Sequence, residues 1–167
     1  NEESSCDIYG GLYLWSEAMQ YTKEEKTQGI CPEGWHIPSH EEWVYLERII
    51  CQNIGNTNCS AAFPKDKNTT GLLGSGEGSA IAGNKSFWFD ASLINSKVFG
   101  TSGLNIVPSG YRHRDFSPFS HKKMGGWVWT STGSVNVWAR GLDYRNPGIN
   151  RDDYGGGYGF SVRCIKD

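Results

Sequence analysis

The sequence predicts an α+β fold, with two helices followed by an antiparallel sheet and with much of the chain in loops. Two early segments carry helix signals, and several later segments alternate like β-strands. No helix separates those strands as a βαβ unit would require. The 22 glycines and an aromatic content of 13% favour a loop-rich fold in which tryptophan and tyrosine supply much of the buried area.

The length and charge of the chain limit its organisation and its partners. At 167 residues without a proline- or serine-rich linker, we expect one domain, residues 1–167. A formal net charge of −2 provides no electrostatic basis for binding nucleic acid. No apolar run is long enough to span a bilayer, so we expect no direct membrane insertion. An export signal or an anchor that was cut off is compatible with this sequence.

Two helices are predicted in the first third of the chain. One begins near Trp15, with Ser16 as its N-cap. The other begins after Ser39, which forms a capping box with Glu42 and precedes apolar residues at helical spacing. Strands are predicted at residues 10–14, 104–108, 127–132, 135–142 and 160–165. Residues 53–103 are predicted to be mostly loops.

The five cysteines suggest two disulfides. Cys51 and Cys59 bracket a turn-rich span short enough to close locally, and we pair Cys31 with Cys164 as a long-range link. Cys6 is left over, either with a partner upstream of this sequence or as a buried thiol. The alternative is five reduced thiols, as in a cytosolic protein.

The composition is biased near the C-terminus. Residues 133–160 contain no Lys, Glu, Gln or Met, although Lys and Glu are common earlier in the chain. Within the segment, residues typical of a scaffold alternate with residues that look freely exchangeable. This pattern indicates a recognition surface carried by a fixed frame.

Five segments, in order along the chain, resemble a known family: YGGLYLWSEAM at 9–19, CPEGWHIPS at 31–39, TSGLNIVPSGYR at 101–112, WVWTST at 127–132 and GFSVRC at 159–164. In these segments the chain is similar to the Fibrobacter succinogenes major paralogous domain. The resemblance leaves out about residues 51–85, which we interpret as an insertion. It implies a C-type lectin-like fold of the formylglycine-generating-enzyme type, with two helices packed on a twisted antiparallel sheet.

Members of that family with this kind of tail resemble the variable proteins of diversity-generating retroelements. In those systems an error-prone reverse transcriptase rewrites adenines, and templates rich in AAY codons cannot yield Lys, Glu, Gln, Met or Trp. The resemblance therefore implies a variable region at about 111–158. It also implies a fixed frame composed of Trp138, Arg140, Leu142, Tyr144, Ile149, Arg151 and Phe160.

The candidate ligand-binding residues come from the permitted set of amino acids. Tyrosine supplies contact area at low entropic cost, arginine and aspartate supply directed polar contacts, and small residues adapt. The candidates are Ala139, Gly141, Asp143, Arg145, Gly148, Asn150, Asp152, Asp153, Tyr154, Tyr158, His113 and His121. The later stretch is the stronger candidate, because Lys122, Lys123 and Met124 cannot come from AAY codons.

We predict no catalytic residues and no required cofactor. The related enzymes use a pair of C-terminal cysteines, whereas Cys164 is the only cysteine after Cys59. Cys31, His36 and His40 have zinc-like spacing, but packing and capping roles explain them better. Calcium is the one metal for which the tail offers ligands, through Asp143, Asp152 and Asp153, although such carboxylates are more often solvated.

These observations predict a non-enzymatic ligand-binding protein, extracellular or on the surface of a cell or virion. Its partner is expected to be a protein or glycan displayed on a cell or virus. The alternative is an invariant adhesion module of the same family, which binds polysaccharide or packs in a larger envelope protein.

Overall fold

The structure, a computed structural model, describes residues 2–115 and 119–167 and has a mixed α+β architecture dominated by antiparallel strands. The helices are α1 (Glu2–Tyr9), α2 (Trp15–Ala18), α3 (His40–Asn53), α4 (Cys59–Ala62) and α5 (Glu77–Ile81), with a 3₁₀ turn at Lys85–Phe87. The strands are β1 (Tyr13–Leu14), β2 (Trp35–His36), β3 (Gly71–Leu73), β4 (Gly125–Gly133), β5 (Asn136–Asp143), β6 (Asn146–Gly155), β7 (Gly159–Phe160) and β8 (Ile165–Lys166).

Helix α3 confirms the predicted capping box. The Ser39 hydroxyl accepts a hydrogen bond from the Glu42 N–H at 3.3 Å, and the Glu42 carboxylate accepts one from the Ser39 N–H at 2.9 Å. The helix buries Trp43, Val44 and Ile50 along one face. α3 is the longest helix among the described residues.

Helix α2 begins at Trp15 as predicted, but its predicted N-cap is wrong by two positions. Its N-cap is Leu14 rather than Ser16, because the Glu17 carboxylate accepts a hydrogen bond from the Leu14 N–H at 3.1 Å. The helix lasts only four residues and buries Trp15 and Ala18. Helix α1 was not predicted at all.

The main sheet has the strand order β3-β6-β5-β4, with antiparallel pairing throughout. β4 and β5 confirm the strands predicted at 127–132 and 135–142. β6 was not predicted as a strand. The segment 104–108 is not a strand, since Ile106 forms only an isolated bridge with Ala82. The segment 160–165 is divided between β7, which pairs with β1, and β8, which pairs with β2.

The two faces of this sheet bury different sets of side chains. On one side, here named the helix face, Leu142 and Ile149 pack in a core with Trp43 and Ile50 of α3. On the other side, here named the cleft face, a second core surrounds Phe160. That second core contains Trp15, Met19, Ile37, Trp129, Val137 and Ala139.

A buried charge cluster joins α3 to the helix face. The Glu47 carboxylate receives hydrogen bonds from Arg140 and, at 2.8 Å, from Arg151, which is the cross-strand partner of Arg140. All three side chains are at most 1% exposed. Arg151 also donates to the carbonyl of Pro64 at 2.8 Å. These contacts fix β5 and β6 from behind, on the side opposite to Phe160.

Both predicted disulfides are present. Cys31–Cys164 links residues 133 apart in sequence, and Cys51–Cys59 closes a span of 8. Cys6 is free and exposed, so the prediction that it is a buried thiol is wrong.

The segment 53–103 is more ordered than predicted, since β3 and α5 within it both pack against β6. Within the described part of the chain, no helix has the length and apolar character needed to cross a membrane.

Candidate functional site: an aromatic cleft

A cleft of about 200 Å³ opens on the cleft face of the sheet. It is here named the aromatic cleft, because five of the seven residues around it are aromatic. The lining residues are Tyr111, His121, Trp127, Asp143, Tyr154, Tyr158 and Phe160. They come from the loop after Val107, from the strands β4, β5, β6 and β7, and from the turn before β7.

Phe160 is the centre of the cluster of rings. Its ring centroid lies 4.3 Å from that of Trp129, 5.0 Å from that of Tyr154 and 5.7 Å from that of Tyr158. The ring of Trp127 is stacked on it at 6.2 Å. Offset and edge-on contacts in this distance range are the favoured geometries of aromatic pairs, so the rings support one another.

The loop that carries Tyr111 and His121 is held by backbone pairing. Tyr111 and Ser120 exchange two backbone hydrogen bonds of 3.0 and 2.9 Å, and Arg112 and Gly159 exchange two of the same lengths. Gly110 precedes them with φ +71°, and a Cβ there would lie 2.1 Å from the carbonyl oxygen of Ser120. Only glycine fits this position.

Hydrogen bonds fix the hydroxyls of two tyrosines that line the cleft. The Tyr154 hydroxyl accepts from the Trp127 indole N–H at 3.2 Å, and burial raises the pKa of the Tyr154 phenol. The Tyr158 hydroxyl lies 3.1 Å from Nε2 of His113. His113 thus contacts the cleft wall from outside, with Nδ1 2.6 Å from a carboxylate oxygen of Asp115.

Asp143 brings a carboxylate to the cleft. It accepts hydrogen bonds from the Arg145 guanidinium at 3.0 and 2.8 Å and from the Arg145 backbone N–H at 2.8 Å. These hydrogen bonds hold the pKa of the Asp143 carboxyl below its ordinary value, so it is ionised at neutral pH. Arg145 itself lies in the turn between β5 and β6, with 63% of its side chain exposed.

The structure brings a subset of the predicted recognition residues together. His121, Asp143, Tyr154 and Tyr158 line the aromatic cleft. His113 touches its wall through Tyr158. On the same sheet face, Asn150 and Asp152 occupy positions of β6 that alternate with Tyr154, and both are partly exposed. Residues 116–118 of the proposed variable region lie outside the described residues.

Five other predicted residues do not line the cleft. Ala139, Gly141 and Gly148 are buried, which corrects their assignment as direct ligand contacts. The physical reason is packing: Ala139 and Gly141 pair with Trp129 and Trp127, and the backbone of Gly148 is pressed against β3. Arg145 is exposed at the turn, and the exposed Asp153 pairs with Trp138 at the other end of β5.

Three residues of the site were not among the candidates. Phe160 was assigned to the fixed frame, and Tyr111 and Trp127 lie in the segments at 101–112 and 127–132 that carry the family resemblance. The sequence signal that could have identified Trp127 is its spacing of two residues from Trp129, which places both indoles on one face of a strand. Gly141 provides the room for Trp127, since a Cβ at that position would lie 2.5 Å from the indole nitrogen.

A second and larger groove, of about 400 Å³, lies between α1 and β4. It is lined by none of the predicted recognition residues. Its lining includes Cys164, whose sulfur is bonded to Cys31. The aromatic cleft is therefore the stronger candidate site.

The structure also shows where the cysteine, histidine and aspartate side chains lie that were weighed as zinc, calcium or catalytic sites. Cys31 and Cys164 are bonded to each other, so neither provides a free thiolate for zinc or for catalysis. His36 contacts Asp167 at 2.6 Å and Glu42 at 3.2 Å. Among residues 2–115 and 119–167, no three His, Cys, Asp or Glu side chains form a metal-binding group, so Asp143, Asp152 and Asp153 do not form the suggested calcium site.

Comparison with known proteins agrees with the sequence resemblance. The family model described as the Fibrobacter succinogenes major domain matches residues 1–166. No curated protein and no solved structure matches the chain. Because the match extends over all but the last residue, the chain belongs to the Fibrobacter succinogenes major domain family.

Proposed function

We propose that this protein is a non-enzymatic recognition module whose aromatic cleft binds a partner protein outside the cell. One observation carries the proposal. Four residues selected from the sequence as exchangeable contacts, His121, Asp143, Tyr154 and Tyr158, line one cleft although they come from separate parts of the chain. A concave site with an aromatic floor and a few directed polar groups is the usual form of a binding site.

The division between the two sheet faces supports diversification of this site by a retroelement. The frame residues Arg140 and Arg151 point to the helix face and are fixed by Glu47. The wall residues Asp143 and Tyr154 point to the cleft face and belong to the amino acids that AAY codons can yield. Substitution of Asp143 or Tyr154 therefore leaves the contacts of Arg140 and Arg151 with Glu47 in place.

Further features favour an extracellular protein as the partner. Two disulfides are typical of proteins in oxidising compartments. Phe119, next to the Ser120 that pairs with Tyr111, has 73% of its surface exposed. An exposed aromatic side chain beside a cleft is characteristic of protein-binding surfaces. We also propose that the fold is C-type lectin-like, as the family resemblance implies.

The stacked rings of Trp127 and Phe160 favour one other candidate. Flat apolar rings at the base of a cleft also suit a polysaccharide, as expected for an invariant adhesion module of this family. In that case the cleft would have one ligand, and its wall residues would be the same in every copy of the gene.

Sequencing many copies of the gene from one population tests the proposal. We expect differences to cluster between Ala139 and Tyr158, above all at Asp143 and Tyr154 of the cleft wall, and to spare the buried Arg151 and Phe160. A neighbouring reverse-transcriptase gene with an imperfect template repeat is also expected. Identical tails in all copies would favour the adhesion module, and differences scattered over the whole chain would contradict both the variable region and its frame.

A further inference from the structure

We infer that the aromatic cleft receives a cationic side chain of the partner, the ammonium of a lysine or the guanidinium of an arginine. This inference rests on the proposed recognition function and names the chemistry of its ligand. Among the described residues that line the cleft, Asp143 is the one carboxylate, and none is a lysine or an arginine. A carboxylate surrounded by aromatic rings is complementary to a cation.

The rings supply attraction for a cation as well as shape. The centroids of Tyr111 and Trp127 lie 5.0 Å apart at 84°, and those of Tyr154 and Tyr158 lie 5.6 Å apart at 70°. Nearly perpendicular pairs present both ring edges and ring faces around the cleft. A cation within about 6 Å of a ring centroid is attracted by the negative face of the ring, most strongly by tryptophan.

The Asp143 carboxylate already binds a cation of this kind. The Arg145 guanidinium donates to both of its oxygens, and Arg145 is not among the lining residues. The Arg145 head group also lies 5.4 Å from the ring centroid of Tyr144. Arg145 is largely exposed and sits in a two-residue turn, so a guanidinium or ammonium of a partner can replace it at little cost.

The size of the cleft favours one side chain over a larger ligand. Its volume is about 200 Å³. Pockets for drug-sized molecules are larger, at about 300–1,000 Å³. A neutral aliphatic side chain of the same length would fit, but neither the Asp143 carboxylate nor the negative faces of the rings would attract it as they attract a cation. The cleft therefore discriminates by charge.

The experiment uses three probes on the disulfide-bonded protein: N-acetyl-arginine amide, N-acetyl-lysine amide and the neutral N-acetyl-norleucine amide. Binding is followed by the NMR signal of the Trp127 indole N–H. We expect both cations to bind at least about tenfold more tightly than norleucine, as suits a charge-assisted contact.

Three variants separate charge from shape. Asp143→Asn keeps the shape of the side chain and is expected to weaken the binding of the cations about tenfold. Asp153→Asn removes an exposed carboxylate at a position paired with Trp138 and is the matched control, with no change expected. Arg145→Gln removes the internal competitor and is expected to tighten binding by about two- to fivefold.

Equal binding of norleucine and the cations would overturn the inference, as would equal effects of Asp143→Asn and Asp153→Asn. A shift of the Trp127 signal by N-acetylglucosamine and by neither cation would also overturn it. Any of these binding results would leave the proposed function in place if the gene copies vary at the cleft wall. The proposed function is tested by the sequencing of gene copies, which does not depend on the binding of the probes.

Discussion

His40, the first residue of α3, provides a test of the core by acidification. Its side chain is 1% exposed, and its ring lies edge-on against Trp138 with centroids 4.8 Å apart. Burial, followed by the charges of Arg140 and Arg151, lowers the pKa of His40 from 6.5 to about 3. The ring is therefore mainly neutral in the folded protein at about pH 4.5 and above.

Whether acid raises or lowers the free energy of unfolding depends on which state of the protein binds more protons. Below the unfolded pKa of 6.5 the unfolded chain binds a proton at His40, whereas the folded chain does not until the pH approaches about 3. Acid therefore favours unfolding within this window. Between pH 7 and about pH 4.5, His40 alone is expected to reduce the free energy of unfolding by about 2–3 kcal/mol.

The comparison uses urea unfolding of the oxidised protein at both pH values, followed by tryptophan fluorescence. His40→Phe retains a ring against Trp138 and cannot titrate. The other titrating groups change the free energy of unfolding equally in the two proteins. The part of the cost of the substitution that does not depend on pH cancels when each protein is compared with itself at the two pH values. We expect the parent protein to lose about 2–3 kcal/mol more than the variant on acidification. Parallel losses would show that His40 is not held neutral by its surroundings.

Two further predictions concern the frame and the cleft. Glu47→Gln leaves two buried guanidinium groups without their carboxylate and is expected to cost about 3–5 kcal/mol in urea unfolding; a cost below about 1 kcal/mol would refute the buried cluster. Gly141→Ala places a methyl group against Trp127 and is expected to shift its indole N–H signal in NMR spectra. Gly155→Ala is the control, because no heavy atom lies within 4 Å of a Cβ at that position. Equal spectra of these two variants would argue against the close packing of Gly141 and Trp127.

The elements with strong local signals were predicted well. α3 follows from a capping box and a helical repeat, which depend on neighbouring residues only. β6 was missed because Pro147, Gly148 and the pair Asp152–Asp153 are residues that disfavour strands. It is a strand because β5 and β3 pair with it on both sides. Such tertiary pairing is not visible in the local sequence.

The candidate site was predicted in composition but not in geometry. The local bias in amino acids identified Asp143, Tyr154 and Tyr158, and it identified Ala139 and Gly141 equally well. Their separation into wall and buried positions depends on the register between β4 and β5, which places small residues opposite two indoles. Register is set by the pairing of whole strands, so composition alone could not determine it.

The opposite orientation of neighbouring side chains in β5 and β6 limits how this protein can evolve. Adding or deleting one codon in a strand would turn the arginine of that strand, Arg140 in β5 or Arg151 in β6, away from Glu47 and towards the cleft. In β6 the same change would turn Tyr154 towards the helix face. Exchange of one amino acid for another avoids this inversion. Copies of the gene are therefore expected to differ by amino-acid substitutions, while the number of residues from Asn136 to Gly155 stays constant.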